Sequence, residues 1–82
     1  MAENYGIVKK RVMTDASLSV AAKGAYAYLS TYGADSFPKI STVCRELSVT
    51  HHTLLKYLKE LEKHGYLKVE RRYKQSNIYH LM

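Results

Sequence analysis

The sequence predicts a small α+β domain in which three helices precede a C-terminal β-hairpin. Apolar residues recur at spacings of three and four in three segments between residues 19 and 64, which is the period of a helix. Residues 66–81 instead alternate apolar and polar side chains on either side of a polar turn, which is typical of paired strands. With 82 residues, 46% of them hydrophobic, the chain is long enough for one core and too short for two.

The N-terminal part predicts an arm followed by a scaffold helix. Residues 5–13 mix apolar and basic side chains without helical spacing, and we expect an extended arm or a short strand. Ser19 is a suitable N-cap for a first helix over residues 19–31. One face of this helix is apolar: Leu18, Ala22, Ala25, Tyr26 and Leu29. We interpret its tyrosines as core or core-edge residues rather than as a platform for stacking bases.

A second, short helix is predicted over residues 40–47. The spacing i, i+3, i+4, i+7 is filled by Ile40, Val43, Cys44 and Leu47. Gly33 and Pro38 separate it from the first helix, and Lys39 is a poor N-cap because its side chain offers no acceptor. Val49 is the apolar residue expected to hold the following turn to the core.

A third helix, over residues 50–64, carries two chemically opposite faces. Its apolar face consists of Leu54, Tyr57, Leu58 and Leu61, and its basic face of His52, Lys56, Lys59 and Lys63. Thr50 is a good N-cap, and Gly65 stands where a helix commonly ends in a left-handed residue. Such a helix is suited to docking against a negatively charged partner.

The last segment predicts a basic hairpin. Strands are expected over residues 66–73 and 78–81, with a turn at residues 74–77. The hairpin is basic toward its tip, where Arg71, Arg72 and Lys74 lie close together in sequence. A short helix, a turn, a helix with a basic outer face and then a positive hairpin make the winged helix-turn-helix arrangement.

The charge balance favours a nucleic acid as partner. Lys and Arg number 13 against 7 Asp and Glu, giving a formal net charge of +6. The single Cys44 cannot form an internal disulfide, which fits a reducing compartment. There is no apolar run of about 20 residues and no signal-peptide pattern, so we expect a cytoplasmic protein that does not engage a membrane.

The sequence from Val8 to Leu81 also resembles the N-terminal winged helix-turn-helix domains of replication initiators of phages, plasmids and conjugative elements of Gram-positive bacteria. The similar segments are residues 8–33, 37–69 and 76–81. The resemblance implies a DNA-binding protein of a mobile element that acts in replication or transfer initiation. Lys39 replaces the usual capping serine and Ser48 the usual turn glycine; a left-handed serine costs up to about 1 kcal/mol relative to glycine.

Candidate DNA contacts follow from docking the third helix in the major groove, where its first turns lie nearest the base edges. The base-reading candidates are Thr50, His51, His52, Thr53 and Lys56. Lys56 can donate to guanine O6 and N7, which indicates a preference for guanine. His52 can donate or accept a hydrogen bond, so it does not indicate which base it contacts. Leu55 either contacts a thymine methyl group or packs on the hairpin. The candidates for backbone contacts are Ser41, Thr42, Lys59, Arg71, Arg72 and Lys74.

Other functions have weaker support in the sequence. No Cys or His pair has metal-ligand spacing, and no nucleophile, base and acid form a catalytic set, so we expect no enzyme, no cofactor and no small-molecule substrate. The acidic residues look like ordinary surface acids, although Lys56 and Glu60 have the helix-stabilising i, i+4 spacing. A transcriptional repressor and a protein-interaction module remain alternatives. Binding as a homodimer on paired or repeated half-sites is possible for such domains.

Overall fold

Four helices and two strands make up the computed structural model, which describes residues 7–32, 37–73 and 77–82. In chain order they are α1 (Lys10–Met13), α2 (Val20–Ser30), α3 (Ile40–Leu47), α4 (His51–Lys63), β1 (Leu67–Glu70) and β2 (Ile78–Leu81). The strands pair antiparallel, with Leu67 opposite Leu81 and Glu70 opposite Ile78. The described residues therefore form a small α+β fold, as the sequence predicts.

Side-chain caps fix where the two longer helices begin. The hydroxyl of Ser19 accepts a hydrogen bond from the amide of Ala22 at 3.1 Å, and that of Thr50 accepts one from the amide of Thr53 at 3.2 Å. Lys39 stands at the N-cap of α3 without a side-chain hydrogen bond. The observed helices lie within about one residue of the predicted ones, because caps and apolar spacing point to the same boundaries.

The expectation of an extended arm or strand over residues 5–13 is wrong for Lys10–Met13, which form one helical turn. The amides of Val12 and Met13 donate to the carbonyl of Lys9 at 3.1 and 3.5 Å. Val12 has no exposed surface. A single turn with one buried residue is too short for the helical period to be visible in sequence. The described residues thus contain four helices rather than the three expected.

The core forms where α4 meets α2, α3 and β1. Its buried hydrophobic residues are Val12, Leu18, Ala22, Ala25, Tyr26, Leu29, Val43, Leu54, Leu58, Leu61 and Leu67. The interpretation of Tyr26 as a core residue is confirmed, since it is 2% exposed. Its hydroxyl donates to the carbonyl of Met82 at 2.9 Å. This bond ties the end of the described chain to α2.

The first strand is shorter than the sequence predicts. Pairing stops at Glu70 rather than at residue 73. Immediately beyond it, the guanidinium of Arg71 donates to both carboxylate oxygens of Glu62 in α4, at 3.0 and 3.1 Å. Of the turn predicted at residues 74–77, only Asn77 belongs to the described residues.

Left-handed residues end both helices of the α3–α4 pair. Ser48 has φ 56° and ψ 44°, and it is the one non-glycine residue with positive φ in the described ranges. The amide of Val49 donates to the carbonyl of Cys44 at 3.0 Å, which closes the end of α3. Gly65, with φ 80°, allows the amide of Tyr66 to donate to the carbonyl of Leu61 at 2.9 Å. The backbone is therefore strained at Ser48, after α3, and relaxed at Gly65, after α4.

We predict that Ser48→Gly raises the free energy of unfolding by up to about 1 kcal/mol, because glycine adopts the left-handed conformation without steric cost. Urea denaturation monitored by circular dichroism measures the change. Ser41→Gly is the matched control, since Ser41 lies in the right-handed helix α3. It should lower stability, because glycine there only adds freedom to the unfolded chain. Equal effects of both substitutions would contradict the assignment of strain to Ser48.

Candidate nucleic-acid interface

The exposed side of α4 carries a stripe of basic side chains. Because successive residues of a helix turn by about 100°, the side opposite Leu54, Leu58 and Leu61 is a single strip of surface. His52, Lys56, Lys59 and Lys63 lie on it, and all four are exposed. We call these four residues the basic face. It runs along about 16 Å of helix, three turns of α4.

The two acidic residues of α4 flank the basic face and are bound to other elements. The carboxylate of Glu60 accepts from the amide of Ser19 at 2.7 Å and from its hydroxyl at 2.8 Å. Glu62 forms the ion pair with Arg71. The expected pair between Lys56 and Glu60 is therefore replaced by a cap on α2. The three lysines of the basic face form no ion pair with any described residue.

Two more carboxylates hold elements together. Asp15 accepts from the amide and hydroxyl of Ser17 and from the hydroxyl of Tyr66 at 2.5 Å. Glu46 in α3 accepts from the hydroxyls of Tyr28 and Tyr32, the latter at 2.6 Å. The sequence predicts ordinary surface acids, and Glu46 is indeed exposed, but both carboxylates also bind groups of other elements. They join the α1–α2 loop to the start of the hairpin, and α3 to α2.

These contacts favour the charged form of each carboxyl group. Hydrogen bonds from Ser17 and then Tyr66 lower the pKa of Asp15 to about 2. The pKa of Glu46 is lowered by the hydroxyls that it accepts from, and that of Glu60 by the Ser19 amide. Arg71 lowers the pKa of Glu62. Near neutral pH all four groups are thus anionic and internally bound, and Glu60 and Glu62 lie close enough to Lys56 and Lys59 to attract them without forming ion pairs.

The five base-reading candidates do not share one surface. His52 and Lys56 lie on the basic face, and Thr50 is exposed at its N-terminal end. His51 is also exposed but borders a groove beside β2. Thr53 is half-buried on the flank of α4, where its hydroxyl accepts from that of Thr50 at 2.9 Å. The structure therefore brings His52 and Lys56 together and separates His51 and Thr53 from them.

The backbone-contact candidates divide in the same way. Lys59 is on the basic face, and Ser41 is exposed in the first turn of α3, where Thr42 is half-buried. Arg71 is exposed but bound to Glu62. Of the other two hairpin candidates, Arg72 is exposed and Lys74 lies outside the described residues. The basic hairpin therefore contributes less unpaired charge than its sequence suggests.

A groove beside the basic face was not predicted from sequence. It has a volume of about 830 Å³ and is lined by Phe37, Pro38, Lys39, Ile40, His51, Leu55, Asn77, Ile78, Tyr79 and His80. The rings of Phe37 and Tyr79 stack with centroids 4.5 Å apart and planes 24° from parallel. Leu55 is half-buried in its wall, which supports packing toward the hairpin rather than contact with thymine. These residues come from three distant segments, so no local pattern indicates the groove.

Comparison with protein-family models, with curated protein sequences and with solved structures gave no match. Among the described residues, no group of three or more His, Cys, Asp or Glu side chains is placed to hold a metal ion. None of the helices in those ranges is long and apolar enough to cross a membrane.

We predict that acid destabilises the fold through these carboxylates. Groups whose pKa is lower in the folded state stabilise it above their unfolded pKa of about 4, and this contribution disappears as pH falls toward about 2. Asp15→Asn should therefore lower the melting temperature at pH 6, and the difference from the parent should shrink toward pH 2. Circular dichroism melts across this range measure it.

Glu70→Gln is the control, because the Glu70 side chain is exposed and forms no hydrogen bond with a described residue. Its melting temperature should follow that of the parent at every pH. A difference between Asp15→Asn and the parent that stays constant from pH 6 to pH 2 would show that the Asp15 charge is not the stabilising feature.

Proposed function

We propose that the chain is a winged helix-turn-helix domain that binds duplex DNA sequence-specifically, with α4 as its recognition helix. The basic face of α4 is the observation that carries the proposal. Three lysines that form no ion pair with a described residue lie with a histidine on one helical strip, and their charge matches that of a phosphate backbone. Glu60 and Glu62 stay anionic beside this strip, but their carboxylate oxygens are held by Ser19 and Arg71 and not by a lysine of the basic face.

The arrangement around α4 supports docking in the major groove. α3 and α4 are joined by the short turn at Ser48–Thr50, and the hairpin follows directly after α4. In such motifs the N-terminal part of the second helix contacts base edges, while the first helix and its neighbours contact the backbone. We assign base contacts to His52 and Lys56, and phosphate contacts to Lys59 and Lys63 farther along the helix.

Phosphate contacts outside α4 would fix the orientation of the domain. Ser41, exposed in the first turn of α3, offers a hydroxyl and a helix N-terminal amide. The exposed Arg72 extends the basic surface onto the hairpin. Arg71 would join this surface only by exchanging Glu62 for a phosphate.

The biological setting follows from the resemblance alone. A mobile-element initiator would act in the cytoplasm on phage, plasmid or conjugative-element DNA, with copies of the domain on paired or repeated half-sites. A transcriptional repressor would use the same contacts on an operator. A protein-interaction module would use the basic face on an acidic partner and would show no duplex preference.

We predict that Lys56→Ala costs about 1–3 kcal/mol on the preferred duplex and flattens the sequence preference, as expected for a base contact. Lys59→Ala should weaken all duplexes alike and reduce the slope of log K against log salt by about 1. Fluorescence anisotropy measures both, with duplexes selected from a random library at two salt concentrations. Lys23→Ala, on α2, is the control and should change neither quantity. If neither α4 variant changes affinity, α4 does not contact DNA.

We also predict that Glu62→Gln tightens duplex binding at low salt, because it releases Arg71 and removes an anionic group. The gain should be up to about fivefold, since exposed ion pairs of this kind contribute up to about 1 kcal/mol. Glu70→Gln removes the same charge without releasing an arginine, and its gain should be smaller. Equal gains in the two variants would mean that net charge alone is responsible and that Arg71 makes no contact.

A further inference from the structure

The groove between α3, α4 and β2 combines aromatic and cationic groups. Phe37 and Tyr79 supply stacked rings, and Lys39, His51 and His80 supply nitrogen donors to the lining. None of the described residues that line it is a carboxylate. Lys39 gives this lining its positive charge. A cation beside aromatic side chains is the combination by which proteins hold single-stranded nucleic acid, because bases stack on the rings and a phosphate meets the cation.

The size of the groove favours unpaired nucleotides over a duplex. Its volume of about 830 Å³ lies in the range of small-ligand sites, roughly 300–1,000 Å³. Bases within a duplex are paired and stacked on their neighbours, so their faces cannot reach protein rings unless the base leaves the stack. An unpaired strand presents these faces freely. The groove therefore suits a short single-stranded segment.

The start of α3 adds donors at one end of the groove. Lys39 is exposed, lines the groove and occupies the N-cap without a side-chain hydrogen bond. The amides of the first helical turn have no partner within the helix, and they favour an anion near that end. A phosphate beside Lys39 would be held while its base lies toward Phe37 and Tyr79.

We propose that this groove binds an unpaired nucleic-acid strand next to the duplex-binding face. His51 and Leu55 line the groove, and Lys59, one helical turn beyond Leu55, belongs to the basic face, so the two surfaces adjoin each other along α4. A strand that separates from its complement near α4 enters the groove directly. Strand binding at the groove does not itself require that α4 read a duplex.

The test compares four labelled ligands by fluorescence anisotropy: a blunt duplex, the same duplex with a five-thymine 3′ overhang or 5′ overhang, and a ten-thymine single strand. One overhang should tighten binding at least about fivefold, the effect of stacking one base on an aromatic ring. Lys39→Gln and Phe37→Leu should remove that gain and weaken the single strand, while leaving affinity for the blunt duplex unchanged. Thymidine monophosphate is included as a competitor, to distinguish a strand from a free nucleotide.

Lys68→Gln is the matched control, because Lys68 is an exposed lysine outside the groove, and it should leave the overhang gain unchanged. Melting curves verify that each variant folds, and Lys39→Gln alters only an exposed side chain. The proposal is overturned if neither overhang tightens binding, or if the gain survives Lys39→Gln. It is also overturned if equimolar thymidine monophosphate displaces the strand. Single-strand binding that depends on Lys39, without blunt-duplex binding, supports the groove while contradicting the proposed duplex function.

Discussion

Burial of Leu54, Leu58 and Leu61 along one side of α4 is the interaction on which the remaining structure depends. Each of these leucines is 0–3% exposed, and burying such a side chain stabilises a fold by about 1.5–3 kcal/mol. α2, α3 and β1 all pack on this helix, so the leucines determine where each element lies. Because side chains repeat along a helix with a period of 3.6 residues, burying one strip also fixes which strip is exposed. The core therefore orients the basic face as a direct consequence of packing.

Carboxylates give this small core a second set of connections. Asp15, Glu46, Glu60 and Glu62 each join two elements through hydrogen bonds or an ion pair. Individually such exposed contacts contribute little, but together they cap α2 and link α3 and the hairpin to the helices. They also use most of the described negative charge internally. The same contacts thus stabilise the fold and leave the lysines of α4 available to an anionic partner.

Much of this fold can be predicted from the sequence because local rules agree with one another. Apolar spacing and the caps Ser19 and Thr50 locate α2 and α4, and the alternating pattern locates the hairpin. The left-handed conformation of Ser48 is expected only from the resemblance, in which a glycine usually stands at this position. Sequence patterns do not reveal α1, because its four residues span little more than one helical period and cannot show a repeat. They also do not reveal the bond between Glu60 and Ser19, or the stacking of Phe37 on Tyr79, since both join residues 41 or more positions apart that only tertiary packing brings together.

Mapping the duplex on the protein by nuclear magnetic resonance tests whether the basic face of α4 contacts DNA. Backbone amide spectra would be recorded during titration with a selected duplex at low and moderate salt. We predict that the largest shift changes fall on His52, Lys56 and Lys59, with smaller ones at the start of α3 and in the hairpin. Changes centred on the outer side of α2, or none at moderate salt, would contradict the assignment of the basic face of α4 to DNA.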